Sequence, residues 1–131
     1  MATTAVTAEL MAVNTRSADL PDAGGGSGNG LVATTPSDGW VVSPASGEQF
    51  DERTWFRVTA DSTGDTATFK AGDRYPAQRA DLGDLDMVLA ASDSRFIVIE
   101  TSRFLQNDGT ILVTATDAGT SLTCMTNPKA P

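Results

Sequence analysis

The chain has 131 residues, with 9 Lys+Arg against 17 Asp+Glu and a net charge of −8, a length that suits one domain able to bury about two-thirds of its unfolded surface. With 40% hydrophobic and 20% charged residues it has the composition of a globular protein. No histidine and a single cysteine, Cys124, exclude a Ser-His-Asp triad, a histidine metal site, an intrachain disulfide and a cysteine cluster for zinc or iron–sulfur.

The acidic balance argues against a nucleic-acid footprint. No apolar run approaches the roughly 18 residues of a membrane span, so no membrane partner is expected. Met1-Ala2-Thr3-Thr4-Ala5 opens without a basic or apolar leader pattern, and no secretory signal is expected. Thr and Ala occur 18 times each, Asp 13 times and Lys twice. That bias suits a GC-rich genome or a salt-adapted host, and it favours solubility at high local concentration.

In chain order, Thr3–Val13 mixes Val6, Leu10 and Val13 at helical spacing with strand-prone threonines. No capping signal opens a helix there, so it reads as an extended arm or edge strand. Asp22–Gly30 is glycine-rich and reads as a flexible loop. From Leu31 onward, turn signals recur every 8–12 residues, the rhythm of an all-β sandwich or barrel. Strands are predicted over Gly39–Ser43, Thr54–Ala60, Thr66–Ala71 and Asp84–Leu89. Arg95–Glu100, with the continuous run Phe96-Ile97-Val98-Ile99, reads as a central strand covered on both faces. A short strand over Arg103–Gln106 follows. Thr110–Thr116 then points Ile111, Val113 and Ala115 inward, and Ser121–Thr126 points Leu122 and Cys124 inward. The expected fold class is all-β: a single sandwich or jelly-roll-like domain of about eight antiparallel strands, without a convincing helix. Residues 1–30 form the arm and loop of this division, and residues 31–131 the sandwich.

Few residues offer chemistry. The glycine run has no Lys after any glycine, as a P-loop requires, and it misses the dinucleotide fingerprint at Asn29 and Leu31. Asp81, Asp84 and Asp86, and the pair Asp51-Glu52, lack the spacing of a calcium loop. They read as solvated strand ends, with a loose Ca²⁺ site as the sharper alternative. Cys124 reads as a buried structural thiol. Trp55 falls out of phase with Phe56 and Val58, so it either covers a loop or anchors an interface beside Arg57.

Four stretches, in order, resemble the small head-decoration proteins of tailed phages. These are Thr4-Ala-Val-Thr-Ala-Glu-Leu with Asn14-Thr behind it; Trp55-Phe-Arg-Val-Thr followed by Ala67-Thr-Phe-Lys-Ala-Gly-Asp; Pro76 onward to Gly83-Asp-Leu, running to Leu89-Ala-Ala; and Ile99-Glu-Thr-Ser-Arg-Phe-Leu-Gln-Asn-Asp-Gly-Thr-Ile. The resemblance implies a non-enzymatic virion protein without cofactor or metal. It would be made in the host cytoplasm and sit on the outer capsid surface, commonly as a homotrimer. Its implied partners are the major capsid protein and itself. Under this reading Val6, Glu9, Leu10, Met11, Trp55 and Arg57 are the candidate capsid or oligomer interface. The glycine-rich loop would let the arm reach a neighbouring subunit, so a chain lacking residues 1–13 is expected to fold but not to bind capsid. Alternatives are a carbohydrate- or host-surface-binding module, using Trp40, Trp55 and Tyr75, or a tail-associated structural protein. A cupin-like enzyme is disfavoured because cupins place their metal on histidines.

Overall fold

The computed structural model describes residues 4–11, 31–33, 36–45, 48–51, 53–73 and 83–128. Ten strands run in chain order: β1 Thr4–Thr7, β2 Glu9–Leu10, β3 Leu31–Val32, β4 Trp40–Ser43, β5 Thr54–Thr59, β6 Asp65–Phe69, β7 Leu85–Leu89, β8 Ser94–Ile97, β9 Ile111–Thr114 and β10 Ser121–Thr126. One helical turn, α1, spans Thr101–Phe104. The first sheet has the order β1-β4-β9-β6-β7 and the second β2-β10-β5-β8, with β3 beside the start of β10. This is an all-β sandwich.

The period-2 patterns account for the layers. Trp40 and Val42 of β4, Phe56 and Val58 of β5, Ala67 and Phe69 of β6, and Ile111 and Val113 of β9 all turn into the space between the sheets. Phe56 meets Phe69 edge-on at 5.2 Å between ring centroids, and Phe69 meets Phe104 at 6.2 Å, aromatic geometry that adds to simple area burial. Trp40 is therefore a core residue and presents no ring to a ligand. β10, flanked on both sides within its sheet, is buried along its whole length. Just before β4, Gly39 has φ +68, and a Cβ there would stand 1.9 Å from the Val113 carbonyl oxygen. Only glycine supplies both that conformation and that clearance.

Four expectations need correction or narrowing. Of the two readings of Thr3–Val13 the edge strand holds, since Thr4–Leu10 lies along an edge of both sheets and not as an arm apart from the sandwich. β1 pairs parallel with β4, and β2 pairs parallel with β10. Val6 and Ala8 are core residues. The cause is the alternation Val6/Ala8, which turns both side chains into the core at the cost of two parallel pairs in sheets otherwise antiparallel. Second, Ser94–Ile97 is an edge strand, not a central one, and Phe96 and Val98 are uncovered. A continuous apolar run marks two apolar faces, but it cannot say whether this chain covers both. Third, Arg103–Gln106 is not a strand. The turn α1 occupies its start and only Leu105 bridges, to Ile111. The turn lets Phe104 enter the core while the Arg103 guanidinium stacks over its ring at 5.0 Å and donates to the Gly83 and Asp84 carbonyls. Fourth, Leu31–Val32 forms a strand where none was predicted. The glycine-rich loop Asp22–Gly30, together with Val13, Glu52, Tyr75 and Asp81, lies outside the described residues.

Candidate interaction surface

The outward positions of the second sheet align in rows, of which those on β10, Ser121, Thr123 and Met125, are buried and those on β5 and β8 are half-buried to exposed. Register carries Glu9 of β2 opposite Met125 of β10, and Met125 opposite Trp55 of β5. The adjacent row on this face places Thr123, Arg57 and Phe96 side by side across β10, β5 and β8. Trp55 and Phe96 contact edge to face at 5.2 Å. The indole is pinned because Nε1 donates to Asn127 Oδ1 at 2.9 Å. Arg57 donates through Nε to Ser94 Oγ at 2.9 Å, which holds its guanidinium over β8. Thr59 and Ser94 hydroxyls share a 3.0 Å bond next to it. This pairing of rigid aromatic rings with an arginine is typical of binding hot spots.

At the β2 end, Leu10 is 45% exposed and Met11 half-buried. Both line a shallow cleft with Glu48, Arg53 and Pro128. The cleft wall is stiff. Arg53 pairs with Glu48 and Asp51, each at 2.9 Å, and donates to the Asn127 carbonyl at 2.9 Å. Asn127 thus joins the Arg53 network to Trp55.

Of the residues singled out in the sequence, Glu9, Leu10, Met11, Trp55 and Arg57 belong to this sheet and its margin. Val6 does not: it is fully buried between the sheets. Sequence reasoning missed Phe96 and Val98, which are 68% and 67% exposed, and Val88 on β7, which is 78% exposed. The apolar run was visible, but its position at a sheet edge depends on pairing partners far away in sequence.

The acidic residues take structural roles. Asp65 is buried and ties the Ala115–Thr120 connection to β6. Its Oδ1 accepts from the Thr116 and Asp117 N–H groups at 2.9 and 3.1 Å and from the Thr116 hydroxyl at 2.6 Å, while Oδ2 accepts from the Thr120 hydroxyl at 2.5 Å. Burial pushes this carboxyl up, but the hydrogen bonds from Thr116, Thr120 and Thr66 outweigh it and hold the group below the usual range. Asp84 is also lowered, by its bond to Lys70 at 2.8 Å and by the Ala71 N–H. Asp86 accepts from the Thr68 hydroxyl. Among the described residues, no group of three or more His, Cys, Asp or Glu is placed to hold a metal ion. Cys124 is buried, and desolvation pushes its thiol up, away from the reactive thiolate. Among the described residues no helix is long and apolar enough to cross a membrane. Comparison of the chain with protein-family models, with curated proteins and with solved structures returned no match.

Proposed function

We propose that this chain is a non-enzymatic structural protein of a tailed-phage virion. It binds the outer surface of the assembled capsid and stabilises contacts between major capsid subunits, acting as a homotrimer. The observation that carries the reading is the rigid outer face of the second sheet. Half-buried Trp55, braced by Asn127 and Phe96, is the apolar anchor of that face, and Leu10, in register with Thr126 on the other side of the sheet, is an exposed apolar residue at its β2 edge. Strands hold such anchors at fixed spacing, so little ordering entropy is lost on docking. Individually weak contacts add when several copies on one oligomer engage a symmetric lattice together. The sequence resemblance supplies the lattice; the surface supplies the means to grip it.

The test is co-sedimentation with purified capsids. The wild-type chain should pellet with them, and Trp55→Ala combined with Leu10→Asp should lower the bound fraction at least tenfold while the circular dichroism spectrum is retained. A folded variant that binds as well as the wild type contradicts the assignment of Trp55 and the β2 edge as the anchors. A wild-type chain that ignores capsids contradicts the function and brings forward the tail-associated and glycan-binding readings.

A further inference from the structure

β8 is the last strand of the second sheet, and among the described residues it pairs with β5 alone. The register fixes which backbone groups its free side presents. The Ala60 N–H donates to the Asp93 carbonyl at 2.8 Å. In an antiparallel ladder Asp93, Arg95 and Ile97 then turn their backbone groups towards β5, and the N–H and C=O groups of Ser94 and Phe96 point away from it. The 3.0 Å contact between the Thr59 and Ser94 hydroxyls fits this phase, because side chains approach most closely at pairs that share no backbone bond. Such an edge is a template for another strand.

The side chains along the edge are sorted by character. At its start stand two cations. Arg57 crosses from β5 and is held at Ser94 through Nε, and among the described residues its guanidinium meets no carboxylate. Arg95 points to the opposite face of the strand, 65% exposed, with Nη2 at 3.4 Å from an Asp93 oxygen. Further along, the outer face is apolar, with exposed Phe96 set edge-on to Trp55 and exposed Val98 after it. A charge on the inward row is one device that keeps edge strands from pairing indiscriminately. Arg95 therefore bars an all-apolar strand, and together with Arg57 it favours an acidic one. The chain has 17 acidic residues, and none of those described pairs with the Arg57 guanidinium.

We propose that the β8 edge receives an extended apolar–acidic segment of a different protein as an added antiparallel strand. The register decides the order of its side chains. An apolar residue falls opposite Phe96, against the ring that Trp55 braces. Two residues later, opposite Ser94 and on the same face, a Glu reaches the Arg57 guanidinium. The residue between them turns to the other face, opposite Arg95, and is acidic as well. The residue two before the first lies beside Val98 and is apolar. From its N-terminal end the segment thus reads apolar, any residue, apolar, acidic, acidic. This sequence contains no such run: its one adjacent acidic pair, Asp51-Glu52, follows Phe50 but has Glu48 where the first apolar residue belongs. A second copy of the chain is therefore not the occupant. The inference does not rest on the capsid reading.

Fluorescence anisotropy of the full chain with a labelled peptide, Thr-Val-Thr-Val-Glu-Glu-Thr, tests it, with circular dichroism confirming the fold of each variant. The wild type should bind the peptide saturably. Arg57→Glu should weaken binding by roughly tenfold, because it sets like charges together. A peptide with Lys in place of its second Glu should prefer Arg57→Glu to the wild type. Phe96→Asp should abolish binding, and so should N-methylation of the second Val and second Glu amides, which face Ser94 and Phe96. A wild type without saturable binding overturns the inference, as does binding indifferent to Arg57→Glu or to the N-methyl groups. So does sedimentation velocity showing an oligomer that Phe96→Asp dissociates, since the edge would then be taken by a second copy. A chain that pellets with capsids yet ignores the peptide loses this inference and keeps the capsid reading.

Discussion

At the level of single residues, the molecule spends its acidity on structure. Asp65 gathers hydrogen bonds from Thr66, Thr116, Asp117 and Thr120 onto one buried carboxylate. Asp65→Asn turns an acceptor into a partial donor among donors, and should cost about 1–3 kcal/mol, or about 4 °C in Tm per kcal/mol lost, as thermal melts will read. The folded carboxyl lies below its ordinary value of 3.8. Its contribution is therefore complete above about pH 4 and is lost as pH falls through the depressed folded value. The stability of Asp65→Asn should accordingly converge on that of the wild type at the lowest pH, while the two differ at neutrality, as urea unfolding across that pH range will read. Thr54 behaves in the opposite way. It is fully buried, and its hydroxyl has no hydrogen-bond partner among the described residues. Thr54→Val keeps the shape and removes an unsatisfied group, so it should raise stability by about 1 kcal/mol, readable as an upward shift in the urea midpoint.

At the level of elements, the N-terminal strands decide how the domain divides. β1 and β2 complete one edge of each sheet, and Val6 fills the core between them. Val6→Ala should cost about 1.5–3 kcal/mol by lost burial, whereas Leu10→Ala, at a partly exposed margin, should cost less than about 1 kcal/mol. Deleting residues 1–13 should lower Tm sharply instead of leaving an intact sandwich, as differential scanning calorimetry will show. The sequence made the strands themselves legible: alternation at Trp40–Ser43, Thr54–Thr59, Ile111–Thr114 and Ser121–Thr126 announces both the element and its inward face. What it hid was neighbourhood. Phe96-Ile97-Val98-Ile99 carries the same pattern in a central strand or at an edge, and only long-range pairing makes β8 an edge. For the same reason Trp55 and Arg57 could be singled out from their phase alone, while Phe96, their contact on the same face, could not. Helical spacing at Arg103 and Phe104 was too short to register, since a single turn has no period.

At the level of the whole molecule, the two margins of the sandwich differ. In the proposed reading the β2 edge, with Leu10 and Met11, and Trp55 on β5 meet the capsid. The β7–β8 side leaves Val88, Phe96 and Val98 exposed. Both surfaces belong to paired strands, so each sandwich would meet a lattice as a rigid body. The charge of −8 per chain sets copies to repel one another in solution, and salt should screen that repulsion. Cryo-electron microscopy of virions carrying this protein tests the central claim most directly. Ordered sandwich density is expected at regular positions on the outer shell, with Trp55 and the exposed β2 edge at Leu10 against the major capsid protein. A shell without such density, or sandwiches whose Trp55 face points to solvent, would contradict it.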